Sequence, residues 1–211
     1  MCVDARFFRG FGLFVQGGFL DEKTLQRLSE EMRSSEAVPA TVARSTSDDV
    51  DECQRRSKWA NVSDETLGSV RERLVTLRPS LEAHFEQPLG ECQKLQFLVY
   101  REGDFFRPHR DNSRSENTSD YAREREVSVV TFVTGEGDED GYDGGALEFF
   151  DLMQHEASGS RPGLPLSGEP GLLVAFDSTM VHGVTPVTRG ERYTMVTWFT
   201  ARPTETDPQA R

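Results

Sequence analysis

At Lys94 the apolar pattern of this chain changes period, and that change restricts the fold more than any other feature. Upstream, apolar residues recur at helical spacing: Leu25, Leu28 and Met32 after Asp21, then Leu67, Val70, Leu74 and Leu77 after Ser63. Downstream, short aromatic and β-branched runs are bounded by turn-rich pieces. They run from Lys94 to Tyr100, Phe105 to Asp111, Glu126 to Val133, Ala146 to Phe150, Gly171 to Phe176, Val181 to Gly183 and Arg192 to Thr200. Helices first and then roughly seven to eight short strands predict an α+β domain with a β-sandwich or barrel core. A chain of 211 residues can bury a sizeable core as a single unit. The expected layout is a strand and helical support over residues 1–93, a core over 94–201 and a tail over 202–211.

Within the first part, Arg6 to Val15 reads as an aromatic strand, and Asp21 caps a helix to about Met32 that should pack on the sheet. Residues 34–57 show no period, and the expectation there is a mobile loop that serves as a substrate lid. A second helix should run from Ser63 to about Arg78 and stop before Pro79, followed by a short one from Leu81 to Glu86. Residues 135–143 are acidic and glycine-rich but lack the ligand spacing and terminal Glu of an EF-hand, so a solvated hairpin loop is expected. Gln154 to Pro170 reads as another exposed connection.

Charge narrows the partners. A net charge of −12 argues against a broad nucleic-acid surface, which leaves peptides or small molecules as the expected partners. No stretch has the apolar length of a membrane span, and the N-terminus lacks the basic-then-apolar order of a signal peptide. Cys2, Cys53 and Cys92 are odd in number and scattered, so no disulfide framework or Cys-type zinc site is suggested and a cytoplasmic setting is expected. Oligomeric state is left open.

The candidate chemistry lies in His109-Arg110-Asp111, with His182 far downstream and Arg192 ten residues after it. Two imidazoles and one carboxylate form the donor set that holds iron(II) on one side and leaves the other open to reagents. An H-x-D pattern alone is weak, because it arises readily by chance in an Asp-rich chain. On an extended segment, however, residues two apart project to one face, as two ligands of one ion require. His182 follows the apolar run Leu172 to Phe176, and Arg192 opens the strand reading that ends near Thr200. A metal and a fixed cation at a barrel mouth make a receptor for a chelating dianion. Taken singly, each His is as well explained as a structural histidine, Arg192 as an ion-pair residue and Tyr100 as core. His84 and His155 fall outside the pattern, on a helix face and in a loop.

Three stretches together resemble the iron(II)- and 2-oxoglutarate-dependent dioxygenases of the prolyl 4-hydroxylase type. The first is Tyr100-Arg101-Glu102-Gly103-Asp104-Phe105-Phe106-Arg107-Pro108-His109-Arg110-Asp111-Asn112, similar to that family's first metal motif. Gly144-Gly145-Ala146-Leu147-Glu148-Phe149-Phe150 resembles its Gly-Gly-x-Leu strand. Phe176 to Val187, with Gly190-Glu191-Arg192 and Trp198 following, is similar to its second metal motif and cosubstrate anchor.

The resemblance covers residues 94–200 well and the N-terminal helices loosely. It implies a double-stranded β-helix (jelly roll) with N-terminal helices packed on one sheet, and Fe(2+) held by His109, Asp111 and His182. It implies that 2-oxoglutarate chelates the iron while Arg192 binds its distal carboxylate, with Tyr100 and Thr194 as further cosubstrate contacts. Phe132 stands where relatives often carry a second Tyr. The implied reaction consumes O2, decarboxylates 2-oxoglutarate to succinate and hydroxylates an unactivated C–H bond, with L-ascorbate as an accessory by family habit. Arg110 and Asn112 flank a ligand, and Trp198 shares strand parity with Arg192, so these three are the candidate substrate contacts. A prolyl residue in a protein or peptide is the expected target. A free amino acid or small metabolite is the alternative, and a non-catalytic binding or sensing protein is a third reading.

Overall fold

The computed structural model describes residues 5–40, 42–43, 48–49, 51–114, 118–152 and 163–202. Parts of the expected 34–57 lid and of the 154–170 connection, His155, and nearly all of the expected tail lie outside the described residues.

Two long helices support the sheets. In Glu22–Ser34, the Asp21 side chain caps the first turn by accepting from the Thr24 N–H at 2.9 Å, and Leu28 and Met32 are buried. In Asp64–Phe85, Ser63 is the cap, and its hydroxyl accepts from the Thr66 N–H at 3.3 Å. This helix is one continuous element, which corrects the expected stop before Pro79 and the separate helix after it. Pro79 lacks an N–H to donate to the Val75 carbonyl, but both residues lie on the exposed face, where water can serve that oxygen. The expected strand from Arg6 to Val15 is likewise corrected to a short helix, Ala5–Arg9, and a strand, Phe14–Gln16. Phe7 and Phe11 are four apart and meet edge-on at 5.1 Å, a helical spacing hidden inside an aromatic run.

All strand pairs in the two main sheets are antiparallel. In the major sheet the order is Phe14–Gln16, Leu173–Asp177, Arg125–Phe132, Arg192–Ala201, Gln96–Tyr100, Lys58–Ala60 and Val38–Pro39, with Leu89–Cys92 also paired to Arg192–Ala201. The minor sheet runs Leu164–Leu166, Leu147–Phe149, His182–Val184, Phe105–His109 and Arg55–Arg56. Strand alternation divides the major sheet's side chains between two cores. Phe97, Val99, Val127, Val129, Val133 and Met195 share a cluster with Leu28, Met32, Val70, Leu74, Leu77 and Leu81 of the helices. Val130, Phe132, Val174 and Phe176 instead meet Leu147, Phe149 and Leu166 of the minor sheet. The space between the sheets is therefore lined from both sides, and it houses the candidate site.

Two short elements lie where sequence gave loops. Tyr142–Gly144, at the end of the acidic 135–143 segment, pairs with Val187–Gly190, and Tyr142 is fully buried. Arg55–Arg56 is the edge strand of the minor sheet and pairs with Phe105–His109, so the end of the expected lid is tied to the strand that carries a candidate ligand.

Candidate active site

Register brings the ligand set together. His182 sits opposite His109 in the minor sheet, and Asp111 follows just past the end of the strand Phe105–His109. Ligand atoms of His109, Asp111 and His182 all lie within 4.8 Å of one another. Nε2 of His109 is 3.6 Å from one Asp111 carboxylate oxygen, and Nε2 of His182 is 3.5 Å from the other.

The surroundings fix each ligand. Nδ1 of His109 is 2.9 Å from the Arg107 carbonyl and Nδ1 of His182 is 3.0 Å from the Met180 carbonyl. A carbonyl only accepts, so each Nδ1 carries the proton and each Nε2 presents a lone pair toward Asp111. The Ser128 hydroxyl donates to Asp111 Oδ2 at 2.6 Å and lies 2.9 Å from the Ser178 hydroxyl. Phe106 stacks on the His109 ring at 3.6 Å, and Phe176 meets His182 edge-on at 4.6 Å.

Electrostatics favours the ligating forms. Burial alone would raise the Asp111 carboxyl, but the His182 and His109 imidazoles and the Arg125 guanidinium hold it well below the usual carboxylate range. Burial pushes His182 down to about 4, against the pull of Asp111, so its imidazole is neutral at pH 7. An ionised carboxylate and imidazoles with free Nε2 atoms form the donor set that iron(II) takes, with one side left open. The residues present fit that ion.

Arg192 lies on the major sheet, opposite Tyr100 in register and 1% exposed. Its Nη1 donates to Thr194 Oγ1 at 3.3 Å, while its guanidinium carbon sits 5.1 Å from the Tyr100 ring centre and 5.0 Å from that of Phe132. Its Nε and Nη2 are buried with no hydrogen-bond partner, and no carboxylate pairs with it among the described residues. A buried cation with unmet donors is costly unless an anion arrives, so the residues also fit a carboxylate ligand.

One cavity of about 540 Å³ joins these groups. His109, Asp111, His182, Tyr100, Arg192, Thr194, Arg110 and Trp198 all line it. The Arg110 side chain donates to the Thr179 carbonyl. Asn112 is the exception, and the expectation that it contacts substrate is corrected. It is 2% exposed, and its amide nitrogen donates to the Arg123 and Arg125 carbonyls at 3.0 and 2.9 Å, which ties down the loop after the ligand strand.

Sequence reading missed several cavity residues. Arg125 stands 3.6 Å over the Trp198 ring and hydrogen-bonds Gln93. A register shift between Arg125 and Val127 lets Arg125 share the cavity with Ser128 and Val130, against strict alternation. Ser128 was readable as a strand position facing inward, but not as a partner of Asp111. Arg55, Trp59 and Tyr121 come from segments without a legible period and carried no signal.

The fold matches those of oxygenases already solved. A Pseudomonas putida prolyl-4-hydroxylase superposes with a TM-score of 0.67 at 26% identity, over 91% of this chain and 94% of that one. A Trichoplax adhaerens prolyl hydroxylase, solved with a peptide fragment of hypoxia inducible factor, superposes with a TM-score of 0.64 at 15% identity, over 93% of this chain and 86% of that one. Among curated sequences, a PKHD-type hydroxylase of Hyphomonas neptunium is 31% identical over 69% of this chain and 60% of its own length, so the chain matches less than two thirds of that relative. The 2OG-Fe(II) oxygenase superfamily model matches residues 95–200, just over half of the chain and the part that holds every expected ligand. The chain belongs to that superfamily. Within it, its likeness is to the prolyl 4-hydroxylase type.

Proposed function

We propose that this chain is an iron(II)- and 2-oxoglutarate-dependent dioxygenase that hydroxylates a prolyl residue of a protein or peptide and converts 2-oxoglutarate to succinate. The observation that carries the reading is the pairing, in one cavity, of a two-His, one-carboxylate set with a buried arginine whose donors await an anion. His109, Asp111 and His182 would hold the metal, with Ser128 keeping Asp111 in place. Arg192, Thr194 and Tyr100 would take 2-oxoglutarate. When bound, iron and its 2-oxo acid supply the oxidising power for C–H hydroxylation, which no protein side chain has.

The chain's own residues do the rest. The flat face of Trp198, backed by Arg125, and the Arg110 side chain lie on the same cavity as the triad, where they can orient a substrate over it. Phe106, Phe149, Phe176 and Val184 around the two histidines keep bulk water from the ligands. A peptide substrate is favoured over a free amino acid because the solved neighbour that this chain resembles at 26% identity is a prolyl-4-hydroxylase.

A panel assay tests this reading. Protein with iron(II), 2-oxoglutarate and oxygen is incubated with Pro-containing peptides and with free amino acids, and products are read by mass spectrometry. The reading expects a 16-Da gain on a peptide prolyl residue, roughly the mass of one oxygen atom, with matched succinate. Turnover stimulated by free amino acids and by no peptide would replace it with the small-metabolite reading.

A further inference from the structure

Arg192, which lines the cavity, has two buried donors without a partner, Nε and Nη2, and the hydroxyl of Tyr142, a residue behind the cavity wall that interacts with Arg192, is a third. Tyr142 is fully buried, in the short strand that pairs with Val187–Gly190. Gly145 and Gly168 show what surrounds it. A Cβ added at Gly145 would come within 3.0 Å of Arg192 Cδ and 3.4 Å of Tyr142 Cε2, so the phenol ring lies alongside the Arg192 stem. A Cβ added at Gly168 would fall 2.2 Å from the Tyr142 hydroxyl and 2.4 Å from Phe132 Cδ1. The hydroxyl therefore sits against the edge of the very ring that lacks one.

Burial raises the Tyr142 phenol, Arg192 lowers it and Glu136 raises it, for a net upward shift that keeps it protonated at neutral pH. Glu136 Oε2 is buried nearby without a partner, and no hydrogen bond joins it to the phenol. Leaving a buried donor unmet is costly, so two on the Arg192 guanidinium and one beside it point to an absent acceptor with several lone pairs. A carboxylate has four such sites.

We propose that Tyr142 donates its hydroxyl hydrogen to the carboxylate of 2-oxoglutarate remote from the keto acid, in place of the hydroxyl that Phe132 lacks. Arg192 and Tyr142 then act together to select a dicarboxylic 2-oxo acid over a monocarboxylic one. The inference rests on the cosubstrate reading above.

Anaerobic calorimetry on the manganese(II)-loaded protein separates the two. Wild type, Tyr142→Phe and Phe132→Tyr/Tyr142→Phe are titrated with 2-oxoglutarate and with 2-oxobutanoate, which keeps the keto acid end and lacks the second carboxylate. Tyr142→Phe should bind 2-oxoglutarate roughly tenfold or more weakly, as expected for one hydrogen bond to a charged group, and 2-oxobutanoate unchanged. The double variant should recover part of the loss. Equal binding of 2-oxoglutarate by wild type and Tyr142→Phe overturns the assignment, and so does an equal loss for both acids, which would mark a structural role such as a bond to Glu136. Wild type that binds manganese but neither acid overturns the cosubstrate reading itself, and this inference with it.

Discussion

At the scale of single residues, the site depends on groups that orient the ligands as much as on the ligands. Ser128 holds Asp111 Oδ2 at 2.6 Å, so Ser128→Ala should weaken metal binding by about 10- to 100-fold with the fold intact. Competition against a chromophoric chelator measures this, and unchanged affinity would remove Ser128 from the metal site. Arg192→Ala should weaken 2-oxoglutarate binding on the order of a hundredfold, the loss of charge-assisted bonds worth about 3 kcal/mol, and leave metal affinity unaltered. The candidate ligands and Arg192 were legible in the sequence, although Asp and Arg are common in this chain, because strand parity puts His109 and Asp111 on one face and three ordered stretches frame the set. Asn112 was misread because a polar residue beside a ligand looks the same in sequence whether it faces solvent or, as here, is buried and bonded to two carbonyls. Tyr142 was invisible as a site residue because an acidic, glycine-rich stretch carries no sign that its last residues are folded inward.

At the scale of elements, the approach of the two ligand strands depends on Gly183. A Cβ there would lie 2.9 Å from the Phe106 carbonyl oxygen and 3.2 Å from the Pro108 nitrogen, both backbone atoms of the strand that carries His109. Gly183→Ala should force the strands apart and reduce metal affinity although no ligand is altered. Calorimetric metal titration of a variant that remains folded by circular dichroism checks this, and native affinity would contradict it. The helices depend on a different junction. Glu31 of the first long helix accepts from the Ser63 N–H at 2.8 Å, the Ser63 hydroxyl at 2.9 Å and the Thr66 hydroxyl at 2.8 Å, which fastens it to the cap of the second. Ser63→Ala should cost about 1–2 kcal/mol in urea unfolding through loss of the cap and of this junction. Elements with a clear period, such as Glu22–Ser34 and Arg192–Ala201, could be read from sequence to within about two residues. Those formed by pairing alone, such as Arg55–Arg56 and Tyr142–Gly144, could not, since two or three residues establish no period. The helix through Pro79 was misread because a proline rule presumes that the freed carbonyl goes unserved, and on an exposed face it does not.

At the scale of the whole molecule, an acidic chain surrounds a cavity whose buried groups, on the proposed reading, bind a metal and an anion. Acid should loosen that arrangement in the metal-free protein. His182 is pushed down to about 4 from 6.5, so between those values the unfolded chain binds a proton that the folded one does not. By linkage, stability then rises with pH across that window and is lost as pH falls through it. Melting temperatures recorded from pH 7 to pH 5 should decline, and the decline should be shallower in His182→Asn; parallel profiles would contradict the neutral assignment. Sequence carried the jelly-roll core because strand periodicity and three ordered motifs agree, and the family model covers the same span, residues 95–200. It carried much less about the cavity walls, which are assembled from Arg55, Trp59, Tyr121 and Arg125 out of segments far apart in the chain. The most direct test of the central claim is succinate formation from 2-oxoglutarate in the presence of iron(II), with and without oxygen, by wild type and His109→Ala. The account predicts succinate from wild type under air alone and none above background from His109→Ala or under nitrogen. Succinate made equally well by His109→Ala, or by wild type without oxygen, would contradict it.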